Sequence, residues 1–140
     1  MVHTDDAYAT TGYDELLDAV YLRYKRKGTS AEFRDANLRV VASMAKAPSH
    51  RLFVDVREMG IVAPEDQKWV ANVIIPQLAQ HAPENYVYIA LVVPENIFTK
   101  LAVTTVEEIS NGKGICLNRH FASQTEAKRW LAGQTMQVSK

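Results

Sequence analysis

The chain has a single cysteine, Cys116, in 140 residues. One thiol makes no internal disulfide and no cysteine-based zinc site, so an apolar core must hold the fold together. Net charge is lacking as well, because 16 Lys plus Arg balance 16 Asp plus Glu. Such a balance supplies no basic field for nucleic acid and no polybasic membrane anchor. No apolar run approaches the ~18 residues that span a bilayer. The first residues, MVHTDDAYAT, carry neither a basic run nor an apolar stretch, unlike a secretory signal. A cytoplasmic location is therefore expected. Internal repeats and low-complexity segments are absent.

Chemistry-bearing motifs are scarce too. There is no G-x-S-x-G, no P-loop and no G-x-G-x-x-G. The histidines, His3, His50, His81 and His120, include no i, i+4 pair and adjoin no other ligand type, so no metal site is expected. Cys116 falls in a predicted strand, where a buried inert thiol is the expected state. A dyad with His120 is disfavoured, because residues four apart along a strand lie roughly 13 Å apart. The sequence thus points away from an enzyme and calls for no cofactor.

What is present is apolar residue, at 47%. That is enough for one domain over residues 1–140, with a core from about 8 to 131 between polar termini. Residues 1–6 read as loose. Residues 8–13 and 17–25 read as a hairpin, with Val20, Leu22 and Tyr24 on one face, although its turn holds no glycine. Thr29 to Glu32 spells a capping box, followed by a helix whose apolar stripe is Phe33, Ala36, Val40, Val41 and Met44. Residues 52–56 form a short buried strand interrupted by Asp55. A helix opens at Pro64, with Trp69, Val70, Val73, Ile74 and Leu78 as its stripe, and Pro76 predicts a kink or an early end. Residues 86–93, YVYIALVV, form the strongest strand, apolar on both faces.

Pro94 reads as opening the next helix, with Phe98, Leu101, Ala102, Thr105, Val106 and Ile109 on one stripe and a break near Val103. Phe98 and Ile97 read as core, or as the gate of a small pocket. A last strand covers residues 115–121. A second capping box, Ser123 to Glu126, starts a final helix pinned by Ala127, Trp130 and Leu131. The predicted fold is α/β: a mixed, mostly parallel sheet of about five strands with four helices, an N-terminal hairpin leading into β-α repeats. In simple strand order the helices gather on one face. The other face of residues 86–93 then needs a cover, either the hairpin or a second subunit, which hints at a homodimer.

The candidate site is the segment leaving the carboxyl end of the 52–56 strand, where ligands and partners meet open α/β sheets. It carries Asp55, Arg57, Glu58, Pro64, Glu65, Asp66 and Lys68. Asp55 needs a partner, and Arg57 or nearby amides are the candidates. The competing reading is an ordinary salt-bridged turn.

Three stretches, LFVDVREMGIVAPEDQKWV, YIALVVPENIFTKLAV and RHFASQTEAKRWL, resemble bacterial proteins of the SpoIIAA-like group (STAS-related, STAS/SEC14). The resemblance rests on D-x-R-x-M-G, E-D-x-x-W, V-V-P-E-x-I-F and F-x-S-x-x-E-A-x-x-W-L, and runs from Tyr8 to Leu131. It implies a sheet of sequential β-α turns and no enzyme activity. The better-known relatives are anti-sigma-factor antagonists that dock onto a partner and are switched off by phosphorylation of a serine at a helix start. The matching positions here are near Pro64 and Glu65, which offer no hydroxyl. The resemblance therefore implies a non-catalytic regulatory or protein-interaction module without that switch. Charge reversal at Glu65 or Asp66 is expected to weaken docking at little cost in stability. The alternative is a carrier of a small apolar or lipid-like ligand in a CRAL-TRIO-like pocket.

Overall fold

The computed structural model describes residues 3–95 and 97–135. Its strands are β1 (His3–Asp5), β2 (Ala9–Asp14), β3 (Ala19–Tyr24), β4 (Arg51–Asp55), β5 (Val87–Val92) and β6 (Cys116–Phe121). Its helices are α1 (Ser30–Lys46), α2 (Pro64–Trp69), α3 (Ile75–His81), α4 (Ile97–Asn111) and α5 (Gln124–Ala132). The strands lie in simple sequence order in one six-stranded sheet. Pairs β1–β2 and β2–β3 are antiparallel, and every later pair is parallel.

The sixth strand corrects the expectation of about five. Residues 3–5, read as loose, pair with residues 10–12 of β2. Asp6 makes this possible, because its Oδ1 accepts from the amides of Tyr8 and Ala9, each at 2.8 Å, and turns the chain. Its Oδ2 meets Arg39 of α1 at 2.6 Å, tying the turn to the helix layer. The following β2–β3 turn manages without glycine. Asp18 takes the left-handed conformation at φ 53°, and Asp14 Oδ1 accepts from the amides of Leu16 and Leu17.

The Thr29 box forms in both directions, Glu32 N to Thr29 Oγ1 at 3.1 Å and Thr29 N to Glu32 Oε1 at 3.0 Å. At α5 only half of the expected box forms. Glu126 N donates to Ser123 Oγ, but the Glu126 carboxylate takes the Ser123 hydroxyl rather than its amide. Helix α4 begins at Ile97 rather than Pro94 and runs unbroken past Val103. The side chains of Ile97, Phe98, Leu101 and Ala102 lie outside the described residues.

Pro76 neither ends the helix nor leaves it regular. Between α2 and α3 the chain makes a π-helical turn, Val70–Ile74. The Ile75 amide reaches back to Val70 O, and Pro76, lacking an N–H, falls in the first turn of α3. This wider turn shifts the buried face. Ala71, Ile74, Ile75, Leu78 and Ala79 are buried, whereas Val73, expected in the stripe, is exposed.

Alternating strand residues separate two cores. Val20, Leu22 and Tyr24 of β3, Leu52 and Val54 of β4, and Val87 and Ile89 of β5 join α1, the α2–α3 unit and α4 in the larger one. Ala19, Phe53, Ala90 and Val92 point the other way and meet Ala127 and Leu131 of α5. The cover for the second face is thus the last helix, an option the expectation of a hairpin or a second subunit did not include. Arg51 holds α5 in place: its guanidinium donates to Gln134 O, Ala132 O and Leu17 O at 3.1, 3.2 and 2.7 Å. The outer edge of β6 is also occupied. Asn111 at the end of α4 accepts from Asn118 N at 2.8 Å and donates to Asn118 O at 3.4 Å, as a neighbouring strand would.

Candidate functional site

Strand β4 ends at Asp55 in mid-sheet, and loop 56–63 leads from it to α2. Met59 N bonds Val56 O at 3.1 Å, closing a tight turn, and Gly60 follows at φ 79°. The backbone angle calls for glycine, and a Cβ on Gly60 would stand 2.6 Å from Lys27 Cγ, so that side chain would have to move as well. Met59 and Val62 are buried and anchor the loop, while Ile61 between them is 73% exposed. Pro64 then sets the first helical residue, and Gln67 Nε2 turns back to Val62 O at 2.8 Å.

The seven candidate residues divide by burial. Asp55 is buried and accepts from both partners named for it: Arg57 N at 3.1 Å, Arg57 Nε at 3.0 and 3.2 Å, and Arg57 Nη2 at 2.6 Å. The carboxylate holds the guanidinium above its ordinary range. The Asp55–Arg57 unit is therefore a satisfied turn whose arginine faces out. Arg57, Glu58, Pro64, Glu65 and Lys68 are exposed.

Asp66 does not belong with them. Its side chain is only 3% exposed, and its Oδ1 accepts from Arg34 Nε of α1 at 2.7 Å. The Arg34 guanidinium also sits 4.7 Å from the centre of the Trp69 ring. The expectation that charge reversal at Asp66 leaves stability nearly unchanged is corrected here, because a lysine there would be buried against an arginine. The sequence carried a signal for this. Asp66 continues the four-residue spacing of Val70, Ile74 and Leu78 on the inner face.

The reading from sequence missed Ile61, which has no periodic signal because it lies in a loop. It also missed an open polar crevice of about 410 Å³ beside the loop, lined by Arg23, Tyr24, Lys25, Asp55, Arg57 and Glu58. Elsewhere, His120 Nδ1 lies 3.0 Å from Glu107, joining β6 to α4. Cys116 is buried, and burial pushes its thiol up to about 11, an unreactive setting. Among the described residues, no group of three or more His, Cys, Asp or Glu could hold a metal ion. No described helix is long and apolar enough to cross a membrane.

Comparison with protein-family models, with curated proteins and with solved structures finds no match.

Proposed function

We propose that this chain is a non-catalytic, STAS-like interaction module that docks a protein partner through loop 57–63 and the outer side of α2. The observation that carries the reading is the build of the loop. Two buried anchors, Met59 and Val62, hold Ile61 outward, and the exposed charges of Arg57, Glu58, Glu65 and Lys68 flank it. An apolar centre within a polar rim is the usual anatomy of a binding patch. The helix start presents Pro64 and Glu65 in place of a hydroxyl, so phosphorylation there is not the control.

The lipid-carrier alternative receives less support. The apolar cavity under the helices measures about 80 Å³, and a drug-sized ligand needs roughly 300 Å³ or more. A lipid chain would have to displace a helix.

The test is capture of partners by tagged protein from its native cytoplasm, beside a Glu65→Lys variant whose melting temperature matches the parent. The expected result is a protein held by the parent and lost from the variant. A partner held equally by both would count against this surface.

A further inference from the structure

The cavity between the sheet and the helix layer has an unused polar end. Its wall is mostly apolar, with Leu22, Val40, Leu52 and Ile74 among the lining residues. Gln67 and Asn118 add polar groups elsewhere on the wall, while Tyr24 and Asn37 form the paired polar end and are 3% and 7% exposed. Asn37 Nδ2 spends both hydrogens, one on Phe33 O at 2.9 Å and one on the Tyr24 hydroxyl oxygen at 3.0 Å. Those two bonds fix the amide, since a flipped group would set oxygen against the Phe33 carbonyl. Among the described residues, Asn37 Oδ1 then has no donor and the Tyr24 hydroxyl proton has no acceptor. Two buried residues thus stand side by side at the cavity wall, each with hydrogen-bonding capacity unspent among the described residues.

We propose that this cavity binds a small neutral molecule with an apolar body and one hydroxyl or carboxamide group, which accepts from Tyr24 and donates to Asn37. A neutral occupant is favoured, because the lining among the described residues holds no Asp, Glu, Lys, Arg or His to pair with a charge. Size is limited by the volume of about 80 Å³, roughly half that of a dry cavity known to take benzene. Water alone is a poor occupant, because each buried water needs about three hydrogen bonds and most of this wall offers none. Burial keeps the Tyr24 phenol well above its ordinary pKa, so it remains a donor across the working range. The proposal does not rest on the docking reading, and the two sites share the docking loop's inner anchors Met59 and Val62.

The probe is isobutanol, read by methyl NMR shifts on the intact chain, with isobutylammonium and xenon as comparators. The expected result is saturable shifts centred on Val40, Leu52 and Ile74 with isobutanol and none with isobutylammonium. Tyr24→Phe should weaken isobutanol about three- to tenfold, the loss of one hydrogen bond, while xenon still enters. Xenon entry without isobutanol binding would reduce the cavity to a packing void and overturn the proposal. Equal shifts from isobutanol and isobutylammonium would do so too, and that arm needs no variant. Equal isobutanol affinity in the parent and a folded Tyr24→Phe would overturn the role given to the polar end.

Discussion

The two faces of the sheet are built differently. On one, α1, the α2–α3 unit and α4 enclose a broad apolar core with about 80 Å³ to spare. On the other, α5 closes down on small residues: Ala19, Ala90 and Ala127 are wholly buried, with Leu131 between them. The first face tolerates slack because several helices share the load. The second depends on one short helix, seated on small buried residues and clamped by Arg51, with an open crevice of about 280 Å³ beside it between Phe53 and Lys128. The slack also lies beneath the candidate docking loop, since Met59 and Val62 line the cavity from the underside of the segment that presents Ile61. The proposed docking loop thus lies over the core with slack, opposite the face stapled by Arg51.

The comparison breaks first at its anchors. Leu131→Ala removes the main plug of the α5 face and is expected to lower stability by about 2–5 kcal/mol in urea titration. Exchange of the α5 amides should then outpace that of α1. Asp66→Lys should cost about 3–5 kcal/mol, because it buries an unpaired ammonium beside Arg34, whereas Glu65→Lys one position away should stay within about 0.5 kcal/mol.

Added volume then sharpens the contrast between the faces. Ala90→Val on the α5 face is expected to destabilise by about 1–3 kcal/mol. Val54→Ile, whose extra methyl points toward the cavity, should be neutral or slightly stabilising. Equal losses for the two would erase the distinction.

The smallest effect is at acid pH. Two bound amides and Arg39 hold the Asp6 carboxyl at about 2, below its ordinary 3.8. Arg26 and the Thr29 amide hold Glu32 at about 2, below 4.5. As pH falls, the unfolded chain takes these protons first. The stabilisation is therefore present above about pH 4.5 and fades toward pH 2. Thermal melts across that window should fall less steeply for Asp6→Asn than for the parent.

Much of the fold was legible where local chemistry decides it. The Thr29 box, the buried β4 and β5 strands and the period-two face of β3 all follow from residues near in sequence. Asp55 could be read as needing Arg57 because the two are neighbours. The failures came where distant parts decide. Strand β1 exists because Asp6 turns it back onto β2 and Arg39 holds that turn from α1. The placement of α5 depends on Arg51 and on how the chain leaves the sheet edge. The burial of Asp66 depends on Arg34 of another helix and on the phase of the α2–α3 unit. The segment leaving β4 was legible as a loop between a buried strand and a helix start, yet its most exposed apolar side chain, Ile61, was invisible to periodicity.

The most direct test of the docking surface is the affinity of the captured partner for Ile61→Asp, a substitution at an exposed position that should leave the melt unchanged. At least about tenfold weaker binding, equivalent to 1.4 kcal/mol, is expected. Unchanged affinity in a folded Ile61→Asp protein would contradict docking through loop 57–63.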